Sequence, residues 1–198
     1  MRVTILDYGV GNLHSLAKAV AGAEVEVQLE TNPEAAVATD VLILPGVGAF
    51  GAATDRLAPG REAMRRALES GLPCLGICLG MQLLLDRSDE GPGAGLGVIA
   101  GDVTRLAARR VPHIGWNTVD DAADPVFSAA PVPIAYFANS YVCRPVSTDT
   151  VIAWTTHDAD RFPAAIRRGN TMGVQFHPEK SSTAGVQFIR AFLDSVRR

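Results

Sequence analysis

Val41-Leu42-Ile43-Leu44 is apolar at every position, so a strand built from it has no face to offer to water. Such a strand belongs inside a sheet that is covered on both sides. The usual way to cover both sides is a parallel sheet whose crossovers are helices. Residues 3–6 and 74–77 are similar short, mostly apolar runs. Around them the apolar period changes to that of a helix, with Leu13, Leu16, Ala17 and Val20 on one stripe. Ala63, Ala67 and Leu68 mark a second helix, which Gly71 ends. Residues 25–29 alternate apolar with acidic or amide side chains, as an edge strand does. This alternation predicts an α/β fold: an open mixed, mainly parallel central sheet with helices on both faces. Residues 98–103, 134–138, 151–155 and 164–168 read as further strands, some of them antiparallel. A last helix carries Val186, Ile189, Leu193 and Val196 on one stripe and leaves Arg190, Asp194 and Arg197 to solvent. No repeat, low-complexity tract or linker interrupts the 198 residues, which are expected to form one domain, 1–198.

Composition narrows the function classes. The chain is 47% hydrophobic and 20% charged with a formal charge of −3, which fits a globular protein and argues against nucleic-acid binding. The longest mostly apolar stretch, residues 41–53, is cut by Pro45 and three glycines and is shorter than the ~18 residues of a membrane span. An acid, Asp7, arrives before a signal-peptide core could form. Three cysteines leave one unpaired within the chain, so a reducing cytoplasm is expected. No Cys-x-x-Cys pair or neighbouring histidine pair supplies four ligands at zinc spacing, and no metal site is expected.

The chemistry concentrates in two segments. Gly76-Ile77-Cys78-Leu79-Gly80 follows an apolar run and precedes Met81-Gln82-Leu83-Leu84-Leu85. That is a strained turn from strand to helix, which presents one side chain at the top of a sheet. A thiol there feels unpaired N–H groups and the positive end of the helix dipole, both of which favour the thiolate. Downstream, Gly173-Val174-Gln175-Phe176-His177-Pro178-Glu179 reads as a strand ending in an imidazole. Side chains two apart in extended chain share a face, so Glu179 is expected to orient His177 towards a nucleophile. A lone buried cysteine is usually a small hydrophobe, and a lone His-Pro histidine is usually a surface residue. Together with the carboxylate they make acyl transfer through Cys78, His177 and Glu179 the leading reading. Cys74 reads as inert core, and Cys143 has no recognisable partner. His14, His113 and His157 read as structural or exposed.

Leu44-Pro45-Gly46-Val47-Gly48-Ala49-Phe50 is a glycine-bounded loop after a buried strand. As a phosphate cradle it is weak, lacking a third glycine and a following Lys-Ser/Thr. As an oxyanion loop it fits, with backbone N–H groups of Val47 and Leu79 as donors to the developing charge. Loss of one such donor typically costs about 3 to 4 kcal/mol of barrier lowering.

The Cys78 and His177-Pro178-Glu179 blocks together resemble those of the class I (triad) glutamine amidotransferases. Asp7-Tyr8-Gly9-Val10-Gly11-Asn12-Leu13-His14-Ser15, Pro112-His113-Ile114-Gly115-Trp116-Asn117 and Lys180-Ser181 are similar to segments of one branch, the glutaminase subunits of imidazole glycerol phosphate synthases. The resemblance implies a flavodoxin-like sheet and hydrolysis of glutamine through a thioester, with no cofactor. It implies a heterodimer with a (β/α)8-barrel synthase subunit, which takes the ammonia and makes imidazole glycerol phosphate and aminoimidazole carboxamide ribotide. It also implies glutamine contacts at Gly46, Gly48, Gln82, Glu90, Ser140 and Tyr141, and a docking face including Asn12, Trp116 and Lys180. The chain departs from the branch at Asn139, where the usual residue is histidine; an amide there carries no positive charge. Other amidotransferases of the superfamily and a catalytically silent docking protein are the competing readings. The Pro112 to Asn117 block speaks against the former, and the intact triad against the latter.

Overall fold

In the computed structural model, residues 1–9, 13–22 and 24–197 are described. In chain order they form β1 (Arg2–Leu6), α1 (Leu13–Val20), β2 (Glu26–Glu30), β3 (Val41–Leu44), α2 (Phe50–Leu57), α3 (Arg61–Glu69) and β4 (Cys74–Ile77). Next come α4 (Leu79–Gln82), β5 (Arg87–Ser88), β6 (Gly101–Arg105), β7 (His113–Thr118), α5 (Pro125–Ala129), β8 (Ile134–Asn139) and β9 (Tyr141–Pro145). The chain closes with β10 (Val151–His157), β11 (Asp160–Arg168), β12 (Thr171–Val174) and α6 (Ser182–Ser195).

Seven strands make the central sheet in the order β10-β11-β12-β4-β3-β1-β2. The five from β12 to β2 run parallel, while β11 is antiparallel to both β10 and β12. The predicted mixed, mainly parallel sheet is therefore present. β3 shows why its sequence has no polar face. Val41 and Ile43 enter a cluster with residues of α1, α6 and β8, whereas Leu42 and Leu44 enter a second cluster with residues of α2 and α3. Helices thus cover both faces, and the period-two alternation sorts one strand's residues between two cores. β2, as expected, is the edge.

Several boundaries differ from expectation. The 98–103 run becomes strand only from Gly101; Val98 and Ile99 are buried in the preceding turn, where the Ile99 N–H bonds the Leu84 carbonyl. The buried stripe of α6 is Gly185, Phe188, Ile189, Phe192 and Leu193, leaving Val186 and Val196 partly buried at its margin. The turn after Cys78 continues as only one α-helical turn, because the Leu84 and Leu85 N–H groups bond carbonyls three residues back. Its dipole is correspondingly smaller than that of a long helix. Two small sheets complete the fold: β5-β6-β9 and the ribbon β7-β8. β7 and β9 escape a periodicity reading because β7 mixes His, Gly and Asn with its apolar residues and β9 is broken by Arg144.

The topology settles where chemistry can occur. β4 has β12 on one side and β3 on the other, all pointing the same way. Loops leaving their carboxyl ends therefore converge at one rim of the sheet. Cys78 follows β4, His177 lies three residues beyond β12, and Pro45 follows β3.

Candidate active site

Cys78 itself carries the strain of its turn. Its φ is 51° and its ψ −103°, a conformation that L-residues rarely adopt. The flanking glycines are required for close approach. A Cβ on Gly76 would lie 2.6 Å from the Gly80 carbonyl oxygen, and a Cβ on Gly80 would lie 1.9 Å from that of Leu44. The Cys78 N–H donates to the Val174 carbonyl at 2.7 Å, tying the turn to the end of β12. The side chain is buried, its sulfur 3.9 Å from the Ala138 carbonyl oxygen.

His177 and Glu179 are joined by Nδ1···Oε1 at 2.9 Å. The pairing is as expected but its cause is not: His177 is extended, whereas Pro178, Glu179 and Lys180 form a 3₁₀ turn. The turn, not a shared strand face, brings the carboxylate back to the ring. Nε2 of His177 is left buried without a hydrogen-bond partner. Burial works against a charge on the ring, but the adjacent Cys78 sulfur and then the Glu179 carboxylate outweigh it and hold the imidazole up at about 9. No hydrogen bond of ordinary geometry joins Cys78 and His177, yet the sulfur lies close enough to act on the ring. The backbone of His177 is clamped: its N–H donates to the Tyr136 carbonyl, and its own carbonyl accepts from the Ser181 hydroxyl at 2.7 Å. The same hydroxyl accepts from the Tyr136 N–H at 2.9 Å.

The loop after β3 closes the third side. Pro45, Gly46 and Val47 line one small cavity with His177, Glu179 and Lys180. A Cβ on Gly46 would stand 2.7 Å from the Leu79 Cβ, so this loop and the cysteine turn lie in direct contact. The buried Tyr8 hydroxyl donates to the Pro45 carbonyl. Burial, and then the Cys78 and Cys74 sulfurs, push that phenol well above its ordinary range, so it remains a donor.

The sequence pattern of the family described as "Glutamine amidotransferase class-I" matches residues 4–196. The chain belongs to the class-I glutamine amidotransferases. It is 44% identical over 194 residues to a Symbiobacterium thermophilum protein named "Imidazole glycerol phosphate synthase subunit HisH", covering 95% of this chain and 91% of that one. An Acaryochloris marina protein of the same name is 40% identical over 203 residues, with 98% and 95% covered. A solved structure described as "Crystal structure of glutamine amidotransferase" superposes with a TM-score of 0.76 at 22% identity, covering 98% of each chain. That last likeness bears on the fold alone.

In this amidotransferase the remaining site candidates are distributed unevenly. Gln82 is buried, its amide donating to the Tyr141 carbonyl at 3.0 Å. Glu90 is half-buried, and its carboxylate accepts from the Phe50 N–H at 2.7 Å. It serves the first turn of α2, whose own N-cap, Ala49, has no side chain to offer. Gly48 is exposed with φ at 139°. Ser140 and Tyr141 link β8 to β9, the Ser140 carbonyl accepting from the Leu106 N–H. Trp116 is 56% exposed, with Ile114 at 64% and Ile134 at 51% on the same face of the β7-β8 ribbon. It is therefore not a core residue. Lys180 is exposed next to Glu179. Asn12 lies outside the described residues. Asn139 is buried on the opposite face of the ribbon, its amide N–H bonded to the Tyr141 carbonyl at 3.1 Å.

Three contributors lie inside the quoted motifs without a role read from the sequence: Tyr8, Ser181 and Gln175. Gln175 is fully buried, and its Nε2 lies 3.4 Å from the Cys78 sulfur. Its signal in the sequence is a single amide inside an otherwise apolar run, since a buried amide needs partners. Cys74 and Cys143 are free and buried, and burial pushes both thiols up, away from reactivity. Among the described residues no group of three or more His, Cys, Asp or Glu side chains could hold a metal ion.

Proposed function

We propose that the whole chain acts as one amidotransferase domain that hydrolyses glutamine to glutamate and ammonia, serving an imidazole glycerol phosphate synthase in histidine biosynthesis. The Cys78 sulfur attacks the side-chain carboxamide carbon. N–H groups of Val47 and Leu79 receive the oxyanion. His177, protonated at neutral pH with its imidazole near 9, gives its proton to the departing nitrogen, and ammonia leaves a thioester on Cys78. The neutral ring then takes a proton from water, whose oxygen attacks the thioester, and glutamate departs as the sulfur is restored. Glu179 keeps Nδ1 protonated throughout, so Nε2 faces the chemistry. Gly46, Gly48, Gln82, Glu90, Ser140 and Tyr141 are assigned to glutamine.

The observation that carries this reading is the convergence of thiol, imidazole and carboxylate beyond the carboxyl ends of two neighbouring parallel strands. The named relatives extend it: ammonia passes to a synthase subunit, proposed as a (β/α)8 barrel in a cytoplasmic heterodimer. The exposed apolar ribbon face with Trp116, together with Asn12 and Lys180, is assigned to that partner. No helix among the described residues is long and apolar enough to cross a membrane. The test is glutamate release by the unaltered chain and by Cys78→Ala, each assayed with and without the barrel subunit. Cys78→Ala should release none yet still form the complex; undiminished turnover would exclude the covalent route.

A further inference from the structure

A line of buried amides runs from the backbone into the nucleophile. Gln82 has one donor group with two hydrogens, and it reaches two acceptors: the Tyr141 carbonyl at 3.0 Å and the Gln175 Oε1 at 3.4 Å. Gln175 then presents its own Nε2 to the Cys78 sulfur at 3.4 Å. All three side chains are at least 95% buried, Gln175 completely so. An amide can reverse its oxygen and nitrogen at little cost in shape, so something must set its direction. Here the fixed end is a peptide carbonyl, which can only accept. It compels Gln82 to offer nitrogen. With both hydrogens of that nitrogen directed outwards, Gln175 must answer with oxygen, which turns its nitrogen towards Cys78. Reversing Gln175 would set donor against donor and its carbonyl oxygen against the sulfur, and reversing Gln82 would set oxygen against oxygen at both of its contacts, deep in the protein where water cannot relieve it.

We propose that Gln175 is a further catalytic residue, donating a hydrogen bond to the nucleophilic sulfur, and that Gln82 and the Tyr141 carbonyl are the latch that fixes its direction. A hydrogen bond from N–H favours an anionic sulfur over a protonated one, because only the former offers full acceptor strength. The donor stands directly after β12, on the same segment that carries His177, so the sulfur is held between an amide and an imidazole two residues apart in sequence. Gln82 therefore has a role besides any contact with glutamine. This inference deepens the proposed function but needs only the thiol for its test.

The experiment is alkylation of Cys78 by iodoacetamide at neutral pH without glutamine, the modified residue identified by peptide mass spectrometry so that Cys74 and Cys143 do not confuse the count. In Gln175→Met, which keeps length and burial but has no donor, the rate should fall about tenfold or more, the scale of a hydrogen bond to a charged group. Glutamine turnover should drop through kcat, with KM little changed. Gln82→Met keeps the donor but loosens its direction and should give a smaller loss of alkylation; it also serves if Gln175→Met does not fold. Wild-type alkylation rates in either folded variant would overturn the proposal. Slowed alkylation in the variants, in a chain that never hydrolyses glutamine, would uphold this inference and refute the function instead.

Discussion

At the residue scale the site is held by groups that are individually unfavourable. Cys78 sits at a positive φ without being glycine, and His177 is a buried ring that carries charge. Each persists because its neighbours over-determine it. For His177 the sign is clear: its folded value, about 9, lies above the ~6.5 of an unfolded histidine. The stability this contributes is complete below about pH 6.5 and is lost as pH rises through about 9. Glu179→Gln removes one of the two supports. The ring's titration should move down towards the ordinary histidine value, visible by NMR, and the window of lost stability should move down with it. Glutamine turnover should fall by about a hundredfold or more, the usual loss when the group orienting a catalytic histidine can no longer fix its tautomer.

At the scale of elements, the decisive contacts join segments far apart in sequence. Ser181 sits at the start of α6, yet its hydroxyl bridges the His177 carbonyl and the Tyr136 N–H of β8. Ser181→Ala leaves the Tyr136 N–H unpaired and the His177 carbonyl with the Lys180 N–H alone, at about 1 to 3 kcal/mol, measurable by urea unfolding. Turnover should fall further than that loss of stability explains, since the turn bearing His177 and Glu179 is loosened. Glycine at 80 is demanded by the approach of α4 to β3. Gly80→Ala would force its new methyl into the Leu44 carbonyl, and the tightly packed rim of β3 and β4 has no room to yield. The expected outcome is an insoluble or unfolded chain, checked by soluble yield and circular dichroism.

Across the whole molecule, the β7-β8 ribbon joins the exposed apolar face to the catalytic rim. Trp116 packs edge-on against Tyr136 at 6.1 Å on the outer face, while the Tyr136 backbone holds His177. On the inner face His113 stacks on His157 at 4.1 Å and on Phe137 at 5.0 Å. Burial, and then the His157 ring, press the His113 imidazole down to about 4. Here the sign is opposite to that of His177. The unfolded chain takes up this proton first, so stability present above about pH 6.5 is lost as pH falls towards 4. A fall of the melting temperature across that range, flattened in His113→Phe, is the expected observation.

Sequence by itself determined the kinds of strand and the identity of the chemistry. A run with no polar face must be buried on both sides, and Gly-x-Cys-x-Gly before a helix must place its cysteine at a turn; both follow from local sterics and the hydrophobic effect. The proposed triad could be picked out because Cys78 and His177 each follow a short apolar run, with Glu179 two residues beyond. Only the tertiary structure decided that β12 lies beside β4 instead of at an edge, that Glu179 reaches its histidine through a 3₁₀ turn, and that Trp116 is exposed. It alone revealed Tyr8, Ser181 and Gln175 as supports of the site. Their partners lie between 4 and 97 residues away in the chain. A periodicity records which face of an element is apolar, but not which distant carbonyl or sulfur the remaining polar atom will meet.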